Sequence, residues 1–183
     1  MSNCMTLTSG ICRGCLDNSG GITTAYIADL EAVDWTSLVK ATDGEITELE
    51  LTTDNNWYEL QVNQYSSNWV ENINVSIENG TKFYEQVITL VFGKNDQALR
   101  NTVDEMANGK LVMILLDNND KMWFIGGPKN GAYVSGGNSA SGQALTDLNG
   151  WNITFTCRAK APAVEVKPGT SSALEAALEA AAC

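Results

Sequence analysis

NWVENINVSIE (68–78) and KFYEQVITLVF (82–92) are separated by Asn79-Gly80-Thr81, and this pair of runs decides the fold. Asn-Gly supplies the positive φ angles of a tight hairpin, and both flanking runs are rich in β-branched and aromatic residues. In the first run Trp69, Glu71, Ile73, Val75 and Ile77 alternate with Val70, Asn72, Asn74, Ser76 and Glu78, giving one mostly apolar face. In the second, Phe83, Glu85, Val87, Thr89 and Val91 oppose Tyr84, Gln86, Ile88, Leu90 and Phe92, so its end is apolar on both faces. A strand of that kind is covered on both sides, by a helix or by a second sheet.

Working outward, ITTAYIA (22–28) follows a Gly20-Gly21 break and reads as a first strand, after which a polar loop leads to the turn signal Asp43-Gly44. EITELELT (45–52) has the period of a half-buried strand, with Thr47, Leu49 and Leu51 on one face and an acidic row, Glu48 and Glu50, on the other. WYELQV (57–62) is expected to pair with it through 53–56. Downstream, 95–108 predicts the one helix inside the domain. Asp96 stands at its start, Leu99, Val103 and Met106 with Ala98 and Ala107 form its apolar stripe, and Gly109 is expected to end it in a left-handed conformation. KLVMILL (110–116), a turn at Asn118-Asn119 and KMWFIG (121–126) predict a second hairpin; GGNSASG (136–142) reads as a mobile loop. WNITFTC (151–157) predicts the last strand, with Trp151, Ile153, Phe155 and Cys157 inward.

The expected organisation is an N-terminal arm (1–20), a β domain (21–158), a proline-containing linker (159–170) and a C-terminal helix (171–183). SSALEAALEAAA (171–182) carries a capping box, Ser172 with Glu175, and a narrow stripe through Leu174 and Leu178. So short a helix is marginal in water, so the stripe is expected to dock on the parent domain or on a neighbour. The fold class is mainly β with one internal helix, a sandwich or barrel, plus this C-terminal helix.

Charge and composition exclude more than they assign. Among 183 residues 22 are acidic and 11 basic, a net charge of -11, which argues against tight binding of a phosphate backbone but not against transient passage of DNA. No run approaches the ~20 apolar residues that span a bilayer. The segment 1–15 lacks a basic region followed by an apolar run, so no secretory signal is expected, and the N-x-S/T matches at Asn74, Asn79 and Asn152 are read as chance. Histidine is absent, which removes the commonest general base and the commonest metal ligand together.

Each remaining chemical candidate has a plainer reading beside it. Cys12 and Cys15 form one C-x-x-C, and with Cys4 and Cys157 they would make a zinc set only if the N-terminus lay beside the last strand; ordinary reduced cysteines are the alternative. Cys183 can cross-link copies under oxidation. Asp117-Asn-Asn-Asp120 offers oxygen ligands but reads as a hairpin turn, without the length or terminal Glu of an EF-hand. Glu48 and Glu50 read as a solvated face before they read as catalytic carboxylates. The five tryptophans, Trp35, Trp57, Trp69, Trp123 and Trp151, read as core or interface residues. No catalytic constellation emerges, no cofactor is expected, and the chain is read as a non-enzyme.

The order of elements resembles the major tail tube proteins of tailed phages, whose relatives form the tubes of contractile injection systems, and more specifically tail proteins of phages infecting Bacteroidetes. The resemblance runs over 21–158 and is carried by GITTAYIADLEAV (21–33), ENGTKFYEQVITLVF (78–92) with the helix after it, LVMILLDNNDKMWFIG (111–126) and SGQALTDLNGWNITFTC (141–157). It implies a β-sandwich assembling as hexameric rings stacked into a tube, in a virion tail built in the host cytoplasm, with other tail proteins as partners, DNA passing through, and no membrane. By that analogy the hairpin residues Trp69, Ile73, Asn79, Gly80, Phe83 and Tyr84 contribute to contacts between subunits, and Glu48 and Glu50 face the lumen. Segment 159–183 exceeds the shared core. A neck or tail-terminator ring or adaptor protein is the alternative within this class. From another class, a monomeric carbohydrate- or protein-binding sandwich would display exposed tryptophans as a ligand platform.

Overall fold

The computed structural model describes residues 11, 18–63, 65–167 and 173–181. Within them eleven strands form two sheets. The larger contains β1 (Ile22–Asp29), β2 (Val33–Lys40), β3 (Ile46–Leu51), β4 (Tyr58–Gln61), β7 (Leu111–Asp117), β8 (Met122–Ile125) and β11 (Val164–Val166), in the order β2-β3-β11-β8-β7-β1-β4. The smaller contains β5 (Asn68–Ser76), β6 (Thr81–Gly93), β9 (Tyr133–Ala140) and β10 (Gly150–Ala159), in the order β5-β6-β10-β9. Helix α1 (Gln97–Asn108) crosses from the smaller sheet to the larger, and α2 (Ala173–Ala180) packs on β3. The protein is therefore mainly β, a sandwich whose sheets do not close into a barrel and which keeps four edge strands, β2, β4, β5 and β9.

Two apolar cores make this a three-layer arrangement. One fills the space between the sheets, with Ala25 and Ile27 of β1, Ile88, Leu90 and Phe92 of β6, Met113 and Leu115 of β7, Ile153, Phe155 and Cys157 of β10, and Val103 and Met106 of α1. The other lies on the outer face of the larger sheet, where Ile46, Leu49, Trp57, Val112, Ile114, Phe124 and Val166 meet Leu174 and Leu178 of α2. Strand side chains alternate between faces, so the middle layer must be apolar on both. That is why β7 reads LVMILL without a break, and why Leu111 through Leu115 are all buried.

The α1 boundaries follow from capping. The Asp96 carboxylate accepts a hydrogen bond from Leu99 N at 2.9 Å, satisfying a first-turn donor. Val103 and Met106 are buried and Leu99 packs beside them, whereas Ala98 and Ala107 face solvent and drop out of the expected stripe. Gly109 is extended (φ -116°, ψ 177°), not left-handed as expected, because the chain enters β7 directly.

The structure corrects several other expectations. The polar loop expected before Asp43 contains β2, paired antiparallel with β3. Its period is hidden because Asp34 Oδ1 accepts from Thr36 N and Oγ1 at 2.9 and 2.6 Å, a local turn that breaks the register between Asp34 and Val39. β4 pairs with β1, not with β3, whose two sides are taken by β2 and β11. The glycine-rich stretch expected as a mobile loop, 136–142, begins inside β9. At Gly137 (φ 157°) a Cβ would stand 2.7 Å from the Asn152 carbonyl oxygen, so the glycine answers a close approach of backbones. The stretch expected as a linker, 159–170, is not free over its described part, 159–167: β11 pairs with β8 antiparallel and with β3 parallel, and Lys167 N donates to Ile46 O at 2.8 Å. Three residues are too few to show a period, and the neighbouring prolines concealed them.

Candidate functional site

The β5–β6 hairpin combines exposed apolar side chains with an open sheet edge. Its ladder runs in unbroken register from Asn68↔Thr89 to Ser76↔Thr81. The connection is a four-residue loop, 77–80, closed by Gly80 N donating to Ile77 O at 3.3 Å. Only Gly80 adopts positive φ (60°); Asn79 does not, and its side chain donates to Ser76 Oγ instead. The loop is thus wider than the tight turn expected from Asn79-Gly80, in which both residues would take positive φ.

The base of the hairpin is held firmly. Trp69 packs against Trp123 of the other sheet with ring centroids 5.8 Å apart. Glu71 Oε1 accepts from Gln86 Nε2 and from Ala163 N, each at 2.8 Å, tying the hairpin to the segment before β11. Beyond that point burial ends. Ile73 is 63% exposed, Val75 61% and Ile77 92%, with Val70 and Phe83 also exposed. Tyr84 is half-buried, with the Lys82 ammonium over its ring. The far half of the hairpin therefore presents apolar side chains to solvent along a strand whose outer backbone edge is unpaired. Natural sheets usually blunt such an edge with charge, proline or a covering element.

The second free edge of the smaller sheet, β9, was missed in the sequence because its glycines read as loop. Tyr133, 39% exposed, is the aromatic signal that marks it.

Glu48 and Glu50 have different surroundings. Glu48 is half-buried and its carboxylate accepts a hydrogen bond from Leu174 N at 2.7 Å. Glu50 is exposed, and its backbone N–H donates to Ser37 Oγ at 2.7 Å. Leu174 and Leu178, 0% and 5% exposed, are buried against the chain's own larger sheet. The capping box expected from Ser172 and the Glu175 side chain lies outside the described residues.

The chemical candidates resolve into structural roles or fall outside the description. At the β7–β8 turn Asp117 accepts from Asn119 N (2.7 Å), Lys121 N (3.0 Å) and Trp123 Nε1 (3.2 Å). Burial raises its pKa, but these bonds outweigh that and hold the carboxyl below the ordinary aspartate range. Asp120 sits at φ 57°, completing the turn. Cys157 is buried between the sheets with its thiol toward Asn130 O, and burial pushes its pKa up to about 11. Cys4, Cys12, Cys15 and Cys183 lie outside the described residues. Among the described residues no three or more acidic or cysteine side chains are grouped so as to hold a metal ion. Trp57 is buried and the other four tryptophans are half-buried, so none stands out as a flat ligand platform. No helix is long and apolar enough to cross a membrane among the described residues. Comparison of the chain with family models, curated proteins and solved structures finds no match to any of them.

Proposed function

We propose that the chain is a structural subunit that assembles with copies of itself, as a tail tube protein of a tailed phage, in stacked rings through which DNA passes. The observation that carries this reading is the β5–β6 hairpin: a nine-residue strand with an unpaired edge, exposing Ile73 and Val75 on one face, beyond a base that is packed on the other sheet. An edge and an apolar face of that kind are what a second copy would cover. The other open edges, β2, β4 and β9, offer further places for sheets to continue from one subunit into the next. In such a tube Glu48 is engaged inside the subunit by α2, and Glu50 is left as the acidic group for a lumen surface that does not retain DNA.

Negative-stain microscopy and sedimentation velocity of the purified protein test the proposal. Rings or tubes are the expected result. A chain that stays monomeric at all accessible concentrations overturns it. The half-buried state of the tryptophans weighs against the glycan-binding alternative, which requires an exposed aromatic platform.

A further inference from the structure

The basic side chains of this acidic protein are not spread evenly in their surroundings. Among the described residues, Lys94, Lys121, Arg158 and Lys167 take carboxylate partners, and Lys82 and Arg100 lie over aromatic rings. Lys40, Lys110, Lys129 and Lys160 have neither. Three of those four, Lys40, Lys129 and Lys160, line a single groove of about 430 Å³ between the 126–130 loop and the 159–164 segment. Its apolar wall includes Trp35 and Phe124, and no acidic residue is among its lining.

A second observation points the same way. Gln86, 1% exposed, also lines this groove. Its Nε2 is used by Glu71, but its Oε1 is buried with no hydrogen-bond partner. A buried acceptor without a partner is costly, and a donor entering the groove would relieve it. The groove therefore asks for three things at once: apolar surface, negative charge and an N–H donor.

We infer that this groove receives the tip of the β5–β6 hairpin of a second copy of the chain. The tip carries all three: Ile77, 92% exposed, then Glu78, then the Asn79 side-chain amide, which has a second N–H beyond the one given to Ser76 Oγ. A molecule cannot fill its own groove in this way. Gln86 lies at the base of the hairpin, six residues of extended strand from Gly80, or about 20 Å at the usual rise. Tip and groove are different patches, so the contact is head-to-tail: it closes a ring if the rotation closes and otherwise propagates as a filament. The inference rests on the self-assembly proposed above and names the surfaces involved.

Charge exchange tests it in the full chain. Glu78, Lys129 and Lys160 are exposed, so substitutions there leave the fold intact, which circular dichroism and thermal melting verify. Sedimentation velocity is run on the wild type, E78K, K129E/K160E and the combined E78K/K129E/K160E protein. Each reversal alone is expected to weaken association at least about tenfold, and the combined variant to recover most of it. In parallel, p-benzoylphenylalanine at position 77 is expected to photocross-link to 126–130 or 159–164 of another molecule in a mixture of light and isotopically heavy chains.

The outcomes separate the two proposals. If the wild type assembles and the reversals change nothing, or the combined variant fails to recover, the groove inference is overturned and self-assembly stands. If K129E/K160E dissociates but E78K does not, the groove holds another acidic segment and the hairpin tip is excluded. A wild type that never associates overturns both.

Discussion

The carboxylate of Glu48 accepts a hydrogen bond from the backbone N–H of Leu174 across 126 residues of sequence. A helix leaves its first-turn N–H groups without internal partners, and its N-terminus favours an anion. For α2 a side chain from strand β3 supplies both needs, so the helix is capped by tertiary structure. Glu48→Ala is expected to loosen α2 by about 1 kcal/mol, the usual worth of a cap. Hydrogen exchange over 173–181 should rise selectively, with the inter-sheet strands β6 and β10 unchanged.

Leu178 tests how far α2 belongs to the domain. Its side chain is 5% exposed among Leu49, Trp57 and their neighbours on the outer face of the larger sheet. Leu178→Ala is expected to cost about 2–5 kcal/mol, measured by urea unfolding followed through tryptophan fluorescence. A loss below about 0.5 kcal/mol would mean the helix contributes little to the fold.

Two glycines of the smaller sheet predict opposite results. A Cβ at Gly150 would run into the Phe92 carbonyl oxygen on the neighbouring strand, whereas Gly136 has nothing within 4 Å. Gly150→Ala is expected to destabilise by about 2 kcal/mol or more through backbone displacement. Gly136→Ala should stay within about 0.5 kcal/mol of wild type. Chemical denaturation of the two variants side by side decides it.

Asp117 predicts a pH dependence. Its folded-state pKa lies below the ordinary aspartate value of 3.8, so the ionised form is favoured by folding. The stabilisation is therefore complete above that value and is lost as pH falls through the folded-state pKa. Asp117→Asn should be less stable than wild type at pH 7, and the gap should narrow progressively below about pH 4. A gap that is constant from pH 7 to pH 2.5 would contradict the assignment.

Cys157 should be chemically silent in the native protein. With its thiol pushed up to about 11 by burial, little thiolate exists at pH 8 and no reagent reaches it. Alkylation followed by peptide mapping should leave Cys157 unmodified until the chain is unfolded in guanidinium chloride.

Sequence patterns located the elements with long, clean periods. β5, β6, β7 and β10 were legible because each offers seven or more residues whose alternation, or lack of it, reports how many faces are covered. Helix α1 was legible through Asp96 and the Leu99, Val103, Met106 spacing. What stayed hidden depended on distant partners. β2 is disguised by the Asp34–Thr36 turn, β9 by glycines that serve a neighbouring strand, and β11 by its brevity. The candidate surfaces divide along the same line. The hairpin could be read locally, but the lysine-lined groove gathers residues from 40, 129 and 160, whose shared lack of partners exists only in three dimensions.

The position of β11 has a consequence for how the molecule comes into being. This strand lies between β3 and β8, joining the β2-β3 pair to the rest of the larger sheet. Without residues 164–166, the β2-β3 pair has no strand pairing to the rest of that sheet. Completion is then a long-range closure, of the kind that slows folding and leaves strand edges exposed while it is pending. Its last described strand is the one that seals the larger sheet.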